Sequence, residues 1–275
     1  MKIIHISDIH LTIPGEPMGG LNPHARFAKA LADVAENHSD ATRIIITGDL
    51  THWGEIEAYE ALKQAISDVD VPVRLLLGNH DNRGNFLAVF PDHPVDANGY
   101  VNHAETIDGV RYIYLDTVGD QTHAGHFGAD RIEWLASQLA GCTRARLFLH
   151  HNPMPIGLPA EDQIALVDQD QPAFHALLSE YADRIEYFHF GHVHAPIHGI
   201  FLGVPFASVP STGNQSYPDL SEQTWLKGGA MEPAYFVLTI HGDNTLIHQI
   251  PFAWEGELGQ YGTQWEDWAK EDAAP

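Results

Sequence analysis

Five short, mostly apolar runs that stop at glycine or at metal-binding residue types are the clearest pattern in this chain. In the first half of the chain, the run 3–6 precedes Asp8 and His10, the run 44–46 precedes Asp49, and the run 73–77 precedes Asn79, His80 and Asp81. In the second half, the run 147–149 precedes His150 and His151, and the run 187–190 precedes His192 and His194. Runs bounded in this way are typical of buried strands. Ligands of open α/β sheets bind beyond the carboxyl ends of the strands. The pattern therefore predicts that these side chains meet around metal.

Helical patterns separate the early strands. Asn22-Pro23 is typical of a helix N-cap followed by proline in the first turn, and it predicts a helix that ends near Asn37. A second helix is predicted over about 56–66, between the Asp49 and Asn79 strands. Strands that alternate with helices in this way imply a parallel sheet.

The pattern changes after Asp81. The segment 91–103 is predicted as a loop, and 106–115 as a hairpin that turns at Asp108-Gly109. Further predicted elements are helices near 131–139 and 174–181 and antiparallel strands at 197–202, 204–209, 234–241 and 245–250. The expected fold is a single α/β domain over 1–275, with two packed mixed sheets flanked by helices. The roles of two segments stay open. Residues 91–128 could form a loop or a cap, and the acidic, aromatic tail 255–275 could serve in docking or in a subunit contact.

The charge, the apolar content and the cysteine content of the chain limit the kinds of partner we expect. The chain has 275 residues, and 14 Lys and Arg against 37 Asp and Glu give a net charge of −23. Such an acidic balance argues against a duplex nucleic-acid partner. No apolar run approaches the ~20 residues of a membrane span, and the N-terminus enters a strand without a signal-peptide pattern. We therefore expect a cytoplasmic protein without a membrane partner. The only cysteine, Cys142, excludes an intramolecular disulfide.

The candidate ligands suggest two metals. Asp8 and His10 are two positions apart, as are His192 and His194, so each pair projects to one side of its strand. Asp49 could bridge two ions through its two oxygens. Together with Asn79 and His150 the set has four imidazoles and three oxygen donors, which suits Zn, Fe, Co or Mn better than Ca or Cu(I). We predict two divalent ions chosen from these four metals.

Other polar residues are less clearly placed. We expect Asp81 to orient a histidine ring and Asp116 to be structural, while His151 is open between substrate contact and packing. His123 and His126 could line the pocket, although a loop position is simpler. The remaining histidines are expected at the surface or at caps: His5, His24, His38, His52, His93, His103, His175, His198, His241 and His248.

The order and the residue identities of these motifs resemble those of the calcineurin-like metallophosphoesterase superfamily over residues 5 to 215. The phrases at 7–10, 78–81 and 149–157 are most similar to the branch of class III cyclic nucleotide phosphodiesterases and bacterial glycerophosphodiesterases. The resemblance implies a four-layer αββα sandwich. It also implies two metal sites, one held by Asp8, His10, Asp49 and His194, and the other by Asp49, Asn79, His150 and His192, with Asp49 bridging.

The expected activity is hydrolysis of a small phosphodiester, a cyclic nucleotide or a glycerophosphodiester, by in-line attack of a metal-bound hydroxide. His80, Asn79 and Asp49 are the expected catalytic residues, with His80 stabilising charge or protonating the leaving group. His80, His151 and Asn214 are the expected substrate contacts. Relatives often carry proline at Asn152 and histidine at Asn214, so specificity is not transferred. The alternative function is a phosphomonoesterase or nucleotide pyrophosphohydrolase on the same centre, and a metal-free scaffold protein is a more remote one. The oligomeric state stays open, with a homo-oligomer as one outcome.

Overall fold

The computed structural model of the protein describes residues 1–254 and Gly256, so the predicted tail 255–275 lies, apart from Gly256, outside the described residues. The helices are α1 Pro23–Asn37, α2 Ile56–Ala65, α3 Arg83–Val89, α4 Ala129–Ala140, α5 Pro159–Asp162 and α6 Gln171–Glu180. The strands are β1 Lys2–Ile6, β2 Arg43–Thr47, β3 Val73–Leu76, β4 His103–Ile107, β5 Val110–Tyr114, β6 Ala145–Phe148, β7 Ile185–Phe190, β8 Ile197–Phe201, β9 Val204–Ser208, β10 Gln215–Ser216, β11 Gly228–Gly229, β12 Ala234–His241 and β13 Asn244–Pro251.

Helix α1 follows the sequence signal closely. The side chain of Asn22 accepts a hydrogen bond from the main-chain N–H of Ala25 at 3.0 Å, which satisfies one of the free donors of the first turn. The apolar face of the helix, which includes Phe27 and Val34, is buried. The predicted bounds of α1 are therefore confirmed, and those of α2 agree to within one residue.

The strands form two large mixed sheets. The first has the order β13-β12-β1-β2-β3, in which β1, β2 and β3 are parallel and β12 and β13 are antiparallel. The second has the order β4-β5-β6-β7-β9-β8, with β5, β6, β7 and β9 parallel. Parallel pairing brings the carboxyl ends of neighbouring strands to the same edge of each sheet, and every predicted ligand follows one of these ends.

Alternating side chains on the strands build the layers. Ile3 and Ile45 of the first sheet pack against Tyr114 and Phe148 of the second, and together they form the core between the sheets. The neighbouring positions on the same strands point outward and pack under α1, α2 and α3, since strand side chains alternate between faces. Helices α4 and α6 cover the second sheet. The predicted αββα sandwich is confirmed.

Two of the histidines expected at the surface or at caps are buried instead. His5 is fully buried and His103 is nearly so, because both lie on strands whose faces are covered. The Nε2 atom of His5 lies 2.9 Å from Thr47 Oγ1, so one of its two ring nitrogens is paired in the core. Helix α3 was not predicted from the sequence.

The segment 91–128 contributes β4 and β5 to the second sheet, in addition to its loops. Asp116 is structural, as predicted, because its carboxylate accepts two hydrogen bonds from Arg83 and is fully buried. None of the helices in the described part of the chain combines the length and apolar character needed to cross a membrane.

Candidate metal centre

Five of the predicted ligands have an unusual backbone conformation. Asp8, His10, Asp49, His192 and His194 all have positive φ angles, between 46° and 67°. They make up five of the eight non-glycine residues with positive φ in the described part of the chain. Left-handed conformations cost energy for residues with a Cβ and concentrate at functional sites. The strand ends are therefore bent at the positions that aim these side chains.

The glycines of the motifs allow the strand ends to approach closely. A Cβ on Gly48 would lie 2.5 Å from His150 Nδ1, and one on Gly78 would lie 2.6 Å from His150 Nε2. Gly48 also has a φ of +91°, a conformation that side chains rarely adopt. Any side chain at these two positions would displace a predicted ligand.

The first group of donors joins the two sheets. The Nε2 atom of His194 lies 3.3 Å from Asp8 Oδ1 and 3.1 Å from His10 Nε2. His10 Nε2 in turn lies 3.5 Å from Asp49 Oδ2. The donor atoms of these four residues all lie within 4.8 Å of one another. The structure therefore brings together the four residues predicted for the first metal.

The second group gathers around the other oxygen of Asp49. Asp49 Oδ1 lies 3.4 Å from His150 Nε2, whereas Oδ2 faces His10. The Oδ1 atom of Asn79 lies 3.1 Å from His150 Nε2 and 2.9 Å from His192 Nδ1. Asp49 thus presents one carboxylate oxygen to each group.

The donors fit divalent metal ions. Two ligands bound at about 2.1 Å to one ion are about 3.0 Å apart at a right angle and about 3.4 Å apart at a tetrahedral angle. The separations of 2.9 to 3.5 Å within both groups match this range. Imidazole nitrogens mixed with carboxylate and amide oxygens are also a donor set that Zn, Mn, Fe and Co accept.

Main-chain carbonyls set the orientation of two of the rings. The Nδ1–H of His150 donates to the Thr47 carbonyl at 2.7 Å, and that of His194 donates to the Asn214 carbonyl at 2.8 Å. A histidine whose Nδ1 is held in this way directs Nε2 toward a metal. The main chain of Asn214 therefore has a positioning role beyond its predicted substrate contact.

The charges at the centre are complementary to bound cations. Burial alone would raise the pKa of the Asp49 carboxyl, but the charges of His150 and His10 and the hydrogen bond with His150 hold it well below its usual range. Burial opposes ionisation of His150 and His194 too, yet the charges of Asp49 and Asp8 raise the pKa of each to about 9. Burial would also raise the pKa of the Asp8 carboxyl, but the charge of His194 and the hydrogen bond with it outweigh burial and lower that pKa. Both shifts favour negatively charged carboxylates, the form that binds divalent ions.

The centre lies in a cavity of about 490 Å³. Seven of the predicted site residues line this cavity: His10, Asp49, Asn79, His80, His192, His194 and Asn214. His151 is fully buried, with Nδ1 2.7 Å from Thr117 Oγ1. Its ring packs against His192, so it lies behind the cavity wall.

The family model described as calcineurin-like phosphoesterase matches residues 1–196. The chain belongs to that family. Members of this family use a binuclear divalent metal centre, and the clusters of histidine and aspartate described above are of the kind it requires.

Relatives of this calcineurin-like phosphoesterase include enzymes named for diester hydrolysis. A probable cyclic nucleotide phosphodiesterase of Rhodopseudomonas palustris is 32% identical over 94% of this chain and 95% of its own length. The 3′,5′-cyclic adenosine monophosphate phosphodiesterase CpdA of Escherichia coli is 25% identical over 91% and 89% of the two chains. A glycerophosphodiester phosphodiesterase GpdQ of Enterobacter lignolyticus is 25% identical over 78% of each.

Solved structures resemble the calcineurin-like fold of this chain at low sequence identity. The purple acid phosphatase PPD1 of yellow lupin matches with a TM-score of 0.66 and 13% identity over 92% of this chain and 52% of its own. GAP50 of Plasmodium matches with a TM-score of 0.61 and 13% identity over 92% and 85%. At this identity the likeness supports the fold alone.

Asp81 has a different role from the predicted one. Its carboxylate accepts hydrogen bonds from the main-chain N–H groups of Leu50, Thr51 and Gly78, at 2.9 to 3.1 Å, and from the Tyr59 hydroxyl. It therefore ties the turn after Asp49 to the turn before Asn79 rather than orienting a histidine ring. The sequence His80-Asp81 shows that a carboxylate follows the histidine, but it does not show which groups that carboxylate binds.

Several cavity residues were not assigned to the site from the sequence, among them His52, His123 and Glu161. His52 was assigned to the surface, yet it lines the cavity with Nδ1 3.4 Å from His10 Nδ1. His123, for which a loop position was preferred, also lines the cavity and accepts a hydrogen bond from Asn79 Nδ2 at 2.8 Å. Glu161 was not considered. The position of His52 just after Gly48-Asp49 was a usable signal, whereas His123 and Glu161 lie outside any motif.

Proposed function

We propose that the protein is a metal-dependent phosphodiesterase that hydrolyses a small diester, a cyclic nucleotide or a glycerophosphodiester, at the centre around Asp49. The observation that supports this most directly is the position of the Asp49 carboxylate. Its two oxygens face separate groups of histidine, aspartate and asparagine donors, as a ligand that bridges two ions must. The diesterase names of relatives that match most of the chain support the reaction class.

In this proposal, Asp8, His10, Asp49 and His194 hold one divalent ion, and Asp49, Asn79, His150 and His192 hold the other. Mn, Fe, Zn and Co all suit the donor set. Two ions bound here would supply Lewis acidity and an activated water for in-line displacement at phosphorus. The remaining steps depend on the protein's own side chains.

His80 is the residue best placed to act on the substrate. Its main-chain N–H donates to Asp49 Oδ1 at 2.9 Å, and its Nδ1–H donates to the His52 carbonyl at 2.8 Å. With Nδ1 held, Nε2 is the ring nitrogen left for substrate in the cavity. We assign His80 the role of stabilising the phosphoryl oxygens or protonating the leaving alkoxide.

A panel of substrates tests the proposal. The protein, first freed of metal and then supplied with Mn²⁺, should hydrolyse bis(p-nitrophenyl) phosphate and either cyclic nucleotides or glycerophosphodiesters. The p-nitrophenyl monoester should be a poorer substrate. Exclusive turnover of the monoester would assign the centre to phosphomonoesterase chemistry. Failure to bind stoichiometric metal would favour the scaffold alternative.

A further inference from the structure

An exposed tryptophan lies beside the candidate centre. Trp53 is 67% exposed, although an indole of this size is usually at least partly buried. It lies in the turn between Asp49 and α2, with its ring 4.6 Å from that of His52 and 5.8 Å from that of His80. Both histidines line the cavity. An exposed aromatic ring beside two cavity histidines is available to contact a ligand bound in the cavity.

The three rings form an angled wall. The rings of His52 and His80 are parallel to within 9° with centroids 5.3 Å apart. The Trp53 ring is inclined by 53° to His52 and by 48° to His80. We call these three residues the aromatic wall.

The aromatic wall begins at the metal centre and extends outward. The ring of His10, a predicted metal ligand, lies 4.8 Å from His80 and 5.4 Å from His52. A diester whose phosphate is held at the centre would therefore carry its organic substituent toward this wall. Trp53, the outermost of the three, would meet a group that is separated from the phosphate by a short spacer such as a sugar.

We propose that Trp53 is a specificity residue whose indole stacks on the nucleobase of a cyclic nucleotide. This inference rests on the proposed function, because it needs a phosphodiester bound at the centre. Every nucleobase offers a flat π-face, and stacking on an aromatic side chain tolerates different bases. The glycerol and ethanolamine groups of a glycerophosphodiester have no such face. A quaternary ammonium also binds an indole, so glycerophosphocholine is included in the test below.

The test compares substrates that differ only in the base. Hydrolysis of 3′,5′-cyclic AMP and of methyl riboside 3′,5′-cyclic phosphate, which lacks a base, is measured for the wild-type protein and for Trp53→Ala and Trp53→Phe. Trp53→Ala should lower kcat/KM for cyclic AMP roughly tenfold or more, chiefly through KM. The same variant should change turnover of the base-free compound less than about twofold. Trp53→Phe should recover most of the loss.

Two controls separate stacking from indirect effects. Metal content and thermal midpoint should match the wild type in both variants, since the side chain is largely exposed. Trp254→Ala, which removes another partly exposed indole, should leave both substrates unaffected.

The inference fails if Trp53→Ala affects both cyclic phosphates equally, or neither. It also fails if the loss is confined to glycerophosphocholine, which would assign the wall to a quaternary ammonium. A wild-type protein that cleaves only glycerophosphodiesters overturns the role of Trp53 while the proposed function stands. A wild-type protein with loaded metal that cleaves no diester overturns the proposed function itself.

Discussion

The Nε2 atoms of His10 and His194 lie 3.1 Å apart, although 184 positions separate the two residues in the sequence. His10 follows β1 of the first sheet, and His194 follows β7 of the second. Two ring nitrogens this close need a proton or a metal ion between them, because their lone pairs would otherwise repel. The candidate centre is therefore also a link between the two sheets.

Metal removal should destabilise the fold because of this link. A ligand that binds the folded state alone stabilises it by about 4 kcal/mol when present at roughly a thousand times its dissociation constant. Dialysis against a chelator should lower the thermal midpoint, and added Mn²⁺ or Zn²⁺ should restore it, as measured by calorimetry. An unchanged midpoint would mean that no ion bridges the sheets.

Asp49→Ala should abolish hydrolysis and reduce the bound metal, because it removes the side chain that faces both donor groups. Elemental analysis of the purified variant and a diester assay check the two effects. Asp92→Asn, which changes an exposed carboxylate, serves as the matched control and should retain both properties. Near-normal turnover of the Asp49 variant would remove this residue from the centre.

His80→Ala should leave both metals bound and slow the chemical step. General acid–base groups contribute about 10²- to 10⁴-fold, so kcat should fall within that range. The measurement is steady-state kinetics at saturating metal, accompanied by metal analysis of the same sample. Loss of metal in this variant would show that His80 is a ligand.

Gly78→Ala should disrupt the centre without removing any donor. The added Cβ would lie 2.6 Å from His150 Nε2 and would also crowd the Asp49 carboxylate. We expect a large loss of metal affinity and activity. Gly128→Ala is the control, since a Cβ there meets nothing within 4 Å, and it should behave like the wild type. Equal behaviour of the two variants would contradict the tight approach of the strand ends.

Glu161→Gln should raise the stability of the metal-free protein at neutral and higher pH. Burial raises the pKa of the Glu161 carboxyl to about 7. An acid whose folded-state pKa is raised destabilises the fold once it must ionise, so the penalty is absent near pH 4, grows toward pH 7 and is constant above. The difference from the wild type should reach at most about 3 kcal/mol above pH 7.

Urea unfolding at several pH values in the presence of chelator measures this difference. Asp162→Asn is unsuitable as the control, because the Asp162 carboxylate accepts main-chain hydrogen bonds from Ile156 and Gly157. Glu133→Gln, on the outer face of α4, is suitable and should show no such pH dependence. A difference in the free energy of unfolding between Glu161→Gln and the wild type that stays constant across pH would contradict the prediction.

Much of the fold could be predicted from local patterns. Asn22-Pro23 fixed the start of α1, and Asp108-Gly109 fixed the turn between β4 and β5, since both depend on the chemistry of adjacent residues. The strand ends were readable because an apolar run stops there. The burial of His5 was not readable, since a polar residue in a strand looks the same whether its face is covered or open.

The candidate site also has a part that could be predicted from local patterns and a part that could not. Its donor residues were named from the sequence, because each motif lies at the end of a strand and parallel strands end together. The roles of His123 and Asp81 were not available from spacing, because each depends on contacts with a distant turn. A side chain in a loop can point toward the cavity or away from it while the local amino-acid sequence stays the same.

The sequence by itself determined which side chains are offered to metal and at which strand ends they lie, because hydrophobic runs and glycines are local signals. Only the tertiary structure decided which donors each oxygen of Asp49 faces, that five ligand positions adopt left-handed backbones, and that Trp53 lies beside the cavity residues His52 and His80. Those properties depend on how two sheets pack, and sheet packing is set by contacts between residues far apart in the chain.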